Sequence, residues 1–241
     1  MAQLTQSEQK RLVGTYTINE LVKEGLIFDG AKVGLGTGST ALPAVERLAH
    51  FIINGQLKDI KVVTTSFQTT IACENLGISV YSMNSKEIQG QLDIAIDGAD
   101  EISPEKNLIK GGGAALLLEK IVAYNAKRFI VVADESKIVD SLGTKFPLPV
   151  EVIPEARFAV IRRLEELGAH CTLREAVKKC GPVITDNGNI ILDILWDNPV
   201  KPEILEDTIK SITGVVEVGF FTKNKPQVFV AHGDGSVTKI E

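Results

Sequence analysis

From Thr5 to Gly25, the apolar positions Leu12, Val13, Tyr16, Leu21 and Val22 recur among Glu8, Lys10, Arg11, Glu20, Lys23 and Glu24. That spacing predicts an amphipathic helix. The period then changes. AKVGLG is a short apolar run ending in the glycine-rich turn GTGST. ALPAVERLAHFI returns to helical spacing, with Pro43 in the first turn, where its missing N–H breaks no helical hydrogen bond. IKVVTTS, ISVYSM and LDIAI predict the second, third and fourth strands, and FIVVAD, Phe129 to Asp134, a fifth. Helices are predicted over FQTTIACENLG, closed by Gly77, and from Ala114 to Ala126. The strands are continuous apolar runs, as expected where both faces are covered. The chain therefore reads as α/β, with an open, mainly parallel, Rossmann-like sheet carrying helices on both faces.

Near KFPLPVEVIP the order changes. Strand PVEVI, helix EARFAVIRRLEEL and strand HCTLRE lead to a hairpin turn at Asp186-Asn187-Gly188 and strand NIILDIL. Helix PEILEDTIKSI and strand VVEVGFF follow. This β-α-β-β-α-β order predicts a smaller α+β, ferredoxin-like domain. QVFVAHGDGSVTKI reads as a hairpin that returns to the first domain. The expected division is 1–148 with 223–241 for the larger domain and 149–222 for the smaller.

The 241 residues are 44% hydrophobic and 24% charged, enough apolar side chains for a core. A net charge of −5, without a basic run, argues against a nucleic-acid binder. An anionic substrate then needs a local positive pocket, for which Lys10, Lys110 and Lys145 are candidates. Cys73, Cys171 and Cys180 are odd in number and lack C-x-x-C spacing, which argues against a disulfide framework or a zinc site. His170 and Cys171 are neighbours on a strand-like run, so they point to opposite faces. His50, His170 and His232 stand isolated and read as structural, and Trp196 reads as packing. The N-terminal helix lacks the apolar centre of a signal peptide, and no run is long enough to cross a membrane, so the expected location is cytoplasmic.

Three motifs carry chemistry. GLGTGST, Gly34 to Thr40, joins a strand to a helix, where outward N–H groups and the helix dipole favour an anion. The same glycines also suit a plain tight turn, but Thr37, Ser39 and Thr40 add hydroxyl donors. Ser39 stands where a dinucleotide fingerprint has Gly or Ala, and no Gly-Lys-Ser/Thr follows. A monophosphate therefore fits better than a nucleotide. DGADE, Asp97 to Glu101, ends a predicted buried strand; its carboxylates suit proton transfer, turn capping or a magnesium ion, for whose charge Lys110 competes. Lys110-Gly111-Gly112-Gly113 offers a cation and an amide concavity ahead of the helix bearing Glu119. A helical glutamate is ordinarily solvated. Leu116, Leu117, Leu118, Ile121 and Val122 could instead desolvate this one and raise its proton affinity. Lys145, in GTKFPLPVEV, reads from pattern alone as a surface lysine.

GTGST, DGADE, KGGGAA followed by Glu119, KFPLPVEV, TDNGN and ITGVVEVG together resemble the A type of ribose-5-phosphate isomerase, over almost the whole length. The resemblance implies interconversion of D-ribose 5-phosphate and D-ribulose 5-phosphate in the pentose phosphate pathway. It implies no metal or other cofactor and an oligomer, most often a homodimer. Carried over by position, Glu119 is the base that moves a proton between C1 and C2, with Asp97, Asp100 and Lys110 as further catalytic groups. Thr37, Gly38, Ser39 and Thr40, then Asp97, Gly98, Ala99 and Asp100, match substrate-binding positions. So do Lys110, Gly111, Gly112, Gly113 and Lys145, and Lys10 matches a further phosphate contact. Two alternatives stay open: a non-catalytic sugar-phosphate sensor, and a related enzyme such as an amino-sugar phosphate deaminase or a lactonase.

Overall fold

The computed structural model describes residues 3–240. Its first helix, α1 (Gln6–Lys23), starts where Thr5 accepts the Glu8 amide proton and Glu8 accepts that of Thr5 in return. This reciprocal cap satisfies two of the amides that any helix start leaves without an internal partner. The predicted alternation follows in β1 (Lys32–Leu35), α2 (Leu42–Ile53), β2 (Lys61–Thr64), α3 (Phe67–Asn75) and β3 (Ile94–Asp97). Two short strands, β4 (Glu101–Ile102) and β5 (Leu108–Ile109), precede α4 (Leu116–Tyr124) and β6 (Phe129–Asp134). Next come β7 (Leu148–Val152), α5 (Arg157–Glu166), β8 (His170–Leu173) and β9 (Ile190–Leu195). The last elements are α6 (Pro202–Lys210), β10 (Val215–Val218), β11 (Phe220–Phe221), β12 (Gln227–Ala231) and β13 (Val237–Ile240).

The chain divides into two compact units. The first runs to Gly98, resumes over Leu118–Ser136 and closes with the segment from Pro226. Its sheet has the order β13-β12-β6-β3-β1-β2, parallel throughout except for β13 on the edge. Every residue of β3 and β6 is buried, as central strands covered on both faces require. Val33, Ile94, Ile96, Val132 and Phe229 of the sheet share one core with Val13, Ile18 and Leu21 of α1 and Val45 and Leu48 of α2.

The second unit comprises Ala99–Leu117 and Lys137–Lys225. Its four-stranded antiparallel sheet, β10-β7-β9-β8, is the strand order of a ferredoxin-like unit. Leu148, Val150, Val152, Leu192 and Ile194 pack with Val160 and Leu164 of α5 and Ile209 of α6. Glu151 lies on a fully buried strand, where Thr185 Oγ1 and Asn189 Nδ2 of the TDNGN turn donate to Oε1, each at 2.8 Å, and offset part of the cost of burying the carboxylate. The segments 99–117, 137–148 and 223–225, which the sequence reading places in the larger domain, group with this second unit.

Three element assignments need correction. ISVYSM forms no strand: only Val80 bridges Val62, and the chain then turns as Ser82 accepts the Asn84 and Ser85 amides. Those local bonds compete with a ladder on the edge of the sheet. The helix expected from Ala114 begins at Leu116, because Ala114 is left-handed (φ 58) and its N–H closes a turn on the Gly111 carbonyl at 3.0 Å. VVEVGFF is two strands in different sheets. Phe220–Phe221 leave β10 to join β5 and β4 in a three-stranded antiparallel sheet. The break falls at Gly219, whose carbonyl accepts the Lys110 amide (2.9 Å) and whose amide donates to Pro149 O (2.8 Å). A side chain there would come within 2.5 Å of the Lys110 carbonyl and 2.8 Å of the Pro149 ring.

Candidate active site

In the first unit, the loop from β1 to α2 is tied to the end of β3. The Gly36 amide donates to Ile96 O at 2.9 Å, and the Thr37 amide to Asp97 Oδ1 at 3.2 Å. The same Asp97 oxygen accepts the Gly98 amide at 2.7 Å, and Asp97 is 3% exposed. Thr37 Oγ1 lies 2.7 Å from both Thr65 Oγ1 and Ser66 Oγ, which joins the loop to the end of β2. Gly38, left-handed at φ 102, opens α2 by accepting the Leu42 amide at 3.1 Å. Thr40 is half-buried, and Ser39 is exposed and accepts a hydrogen bond from Lys10 Nζ at 3.1 Å. A cleft of about 290 Å³ opens there, lined by Lys10, Arg11, Ser39 and Glu46 among others. Helix α1 thus delivers a cation to the start of α2, where the helix dipole already favours an anion.

Glu119 lies in the first turn of α4 and is 4% exposed. Its apolar company is uneven: Leu116 and Val122 are buried, Leu117 and Leu118 half-buried, and Ile121 is exposed. The carboxylate is nonetheless withdrawn from bulk water, which is unusual for a glutamate.

In the second unit, the Asp100 amide donates to Ile109 O at 2.8 Å, and Asp100 Oδ2 accepts the Gly112 amide at 2.8 Å. A Cβ at Gly112 would stand 2.6 Å from Asp100 Oδ1, so a side chain there would push the Asp100 carboxylate aside. Lys110 is 2% exposed, with its ammonium 5.6 Å from the centre of the Phe221 ring, within cation–π range. Gly111 is buried, Gly112 and Gly113 are exposed, and Ala99 is half-buried. Lys145 is exposed, and Nζ makes only a long contact, 3.5 Å, to Ile138 O within this unit.

Two groups stand out here that the sequence did not single out. Glu101, the last residue of DGADE, is 1% exposed. It accepts three amides, from Gly143 (2.5 Å), Lys145 (2.6 Å) and Phe146 (2.8 Å), and so shapes the loop that carries Lys145. Arg174, paired with Asp193, reaches the carbonyls of Gly111 and Gly112. No local pattern marks either role, because the partners lie some forty to sixty residues away in sequence.

Among the described residues, no group of three or more His, Cys, Asp or Glu side chains is placed to hold a metal ion. A larger hollow, about 380 Å³ and lined by Arg162, Arg163, Thr208 and Ser211 among others, includes none of the candidate residues. No helix among the described residues is long and apolar enough to cross a membrane.

Residues 61–235 match the family described as ribose 5-phosphate isomerase A (phosphoriboisomerase A). A protein named ribose-5-phosphate isomerase A from Treponema denticola is 59% identical over 233 residues, 96% of this chain and 98% of the relative. The solved structure of ribose 5-phosphate isomerase A from Methanocaldococcus jannaschii is similar with a TM-score of 0.89 at 40% identity, covering 98% of this chain and all of that one. A D-ribose-5-phosphate isomerase solved in complex with phospho-erythronic acid gives a TM-score of 0.91 at 39% identity, over 99% and 100% of the two chains.

Proposed function

Because the chain belongs to the ribose 5-phosphate isomerase A family of aldose–ketose isomerases, we propose that it interconverts D-ribose 5-phosphate and D-ribulose 5-phosphate. The observation that carries the mechanism is the withdrawn carboxylate of Glu119, at the position the family uses for its base. Isomerisation requires one group to take the C2 proton of the open-chain aldose and return it to C1, by way of a cis-enediolate. A carboxylate suits this shuttle, because it is a base before the transfer and an acid after it.

The substrate phosphate sits on the Thr37–Thr40 loop with Lys10, in keeping with the Lys10–Ser39 contact and the start of α2. Asp97 or Asp100 assists opening of the sugar ring. Lys110 and the amides of Gly111 and Gly113 stabilise the negative oxygen that develops as the C2 proton leaves, while the Gly112 amide is held by Asp100. A positioned base supplies roughly 10²–10⁴-fold, and one oxyanion donor roughly 10²–10³-fold. The C2–H bond, only weakly acidic even beside the C1 carbonyl, needs both. The phospho-erythronic acid bound to a relative supports this reading, since a sugar-acid phosphate offers a planar anionic group, as an enediolate does. The same reading makes the protein a cytoplasmic homodimer of the pentose phosphate pathway that uses no metal or other cofactor. Full-length similarity to isomerases gives the sensor alternative no support.

The test is Glu119→Gln, assayed for ketose formation from ribose 5-phosphate with a chelator present. Turnover is expected to fall by roughly 10²–10⁴-fold, while substrate binding and solvent-deuterium incorporation are followed separately. The wild type should incorporate deuterium and the variant should not. Near-normal turnover in the variant would remove Glu119 from its role.

A further inference from the structure

Arg174 follows β8, and Asp193 lies on β9, within the second unit. The guanidinium meets the Asp193 carboxylate through two nitrogens, with Nε to Oδ2 at 2.8 Å and a second bond from Nη2 to Oδ1. Both side chains are largely buried, 15% and 18% exposed. Such a fork–fork pair fixes the plane of the guanidinium. The remaining terminal nitrogen, Nη1, donates to Gly111 O at 2.9 Å and to Gly112 O at 3.1 Å.

The peptide joining Gly111 to Gly112 is therefore held at both ends. Its carbonyl accepts from Arg174, and its amide donates to Asp100 Oδ2 at 2.8 Å. In a planar trans peptide these groups point in opposite directions, so Asp100 and Arg174 grip opposite edges of one plane. Glycines otherwise turn such planes freely. The Gly111 carbonyl also closes the turn from Ala114, two residues before α4 begins.

We propose that Arg174, oriented by Asp193, is a positioning residue for isomerisation. It locks two peptide planes of the triglycine loop, so that the Gly112 amide stays on Asp100 and the Gly113 amide, opposite the Gly112 carbonyl that Arg174 holds, keeps one direction toward the substrate oxygens. This rests on the function proposed above, but the locking itself is measurable without substrate.

The test uses Arg174→Met, Arg174→Lys and Asp193→Asn in the full chain, with thermal unfolding as a check on folding. Amide hydrogen exchange at Gly112–Ala114 is expected to quicken by about tenfold or more in Arg174→Met, with other segments unchanged. For ribose 5-phosphate, kcat/KM should fall on the order of 10²-fold, mainly in kcat, as misplacement of transition-state contacts requires. Arg174→Lys keeps the charge but not the fork and should recover only part, and Asp193→Asn should lie between. If Arg174→Met fails to fold, the other two variants decide the matter. Unchanged loop exchange, or quickened exchange with wild-type kcat/KM, overturns the proposal. A wild type with no isomerase activity would instead sink the function proposed above, and quickened exchange would still support the anchoring.

Discussion

At the scale of single residues, the second unit spends charged side chains on backbone. Glu101 is almost wholly buried and satisfied by three amides of the Gly143–Phe146 loop. Glu101→Gln keeps the size but replaces one acceptor oxygen by an NH₂ group facing donors. It is expected to lower stability by about 1.5–3 kcal/mol, the range for hydrogen bonds to a charged group, read as a fall in the urea midpoint at constant m-value. A wild-type midpoint would show that water replaces the lost acceptor. The candidate residues stood out in the sequence because glycine, aspartate and lysine cluster visibly in GTGST, DGADE and KGGG. Their supports were not. Arg174 sits in the run HCTLRE like any strand-edge arginine, and only the fold brings it to Gly111. Burial of Glu119 could be suspected from its leucine neighbours, yet Ile121 of that same run is exposed.

Among elements, prediction succeeded where the apolar period was long and failed where a single residue overrode it. The strand FIVVAD stands as read, the helix ALPAVERLAHFI is offset by one residue, and LDIAI gives a strand that begins at Ile94 and runs on to Asp97; each buries a continuous face. ISVYSM had β-like composition, but serine-centred turn bonds ended its pairing after one bridge. VVEVGFF read as one strand because glycine within an apolar run carries no mark of where the chain goes next. Gly219 in fact ties Lys110 to Pro149 through its own amide and carbonyl, and so sets the backbone position of the candidate lysine. Gly219→Ala is expected to destabilise the protein by roughly 1–3 kcal/mol, since the contacts it would strike are backbone and a proline ring. It should also depress kcat more than the destabilisation alone explains. Thermal unfolding beside steady-state kinetics at a temperature where the variant is fully folded separates the two effects.

For the molecule as a whole, composition gave the class but not the ionic behaviour. Cys73 is fully buried, and its thiol is pushed up to about 11, first by burial and then by the neighbouring Glu74 charge. Cys171 is likewise pushed up to about 11, by burial and then by Glu165. Once unfolded, both thiols ionise near 9.0. The unfolded chain thus loses these protons first as pH rises. Their stabilisation is complete below pH 9 and disappears as pH climbs through about 11. The urea midpoint is expected to fall across that interval, and to fall less steeply in a Cys73→Ala, Cys171→Ala double variant. An equal slope in both proteins would assign the alkaline loss to other groups. The order of the large sheet has a further consequence, for synthesis. Strand β12 lies between β6 and β13, although the whole Lys137–Lys225 segment is translated between β6 and β12. A nascent chain therefore holds β6 with one flank open to pairing while the smaller unit emerges from the ribosome and can already fold. Chaperone demand should peak in that interval, and slow codons just ahead of residue 226 would prolong it.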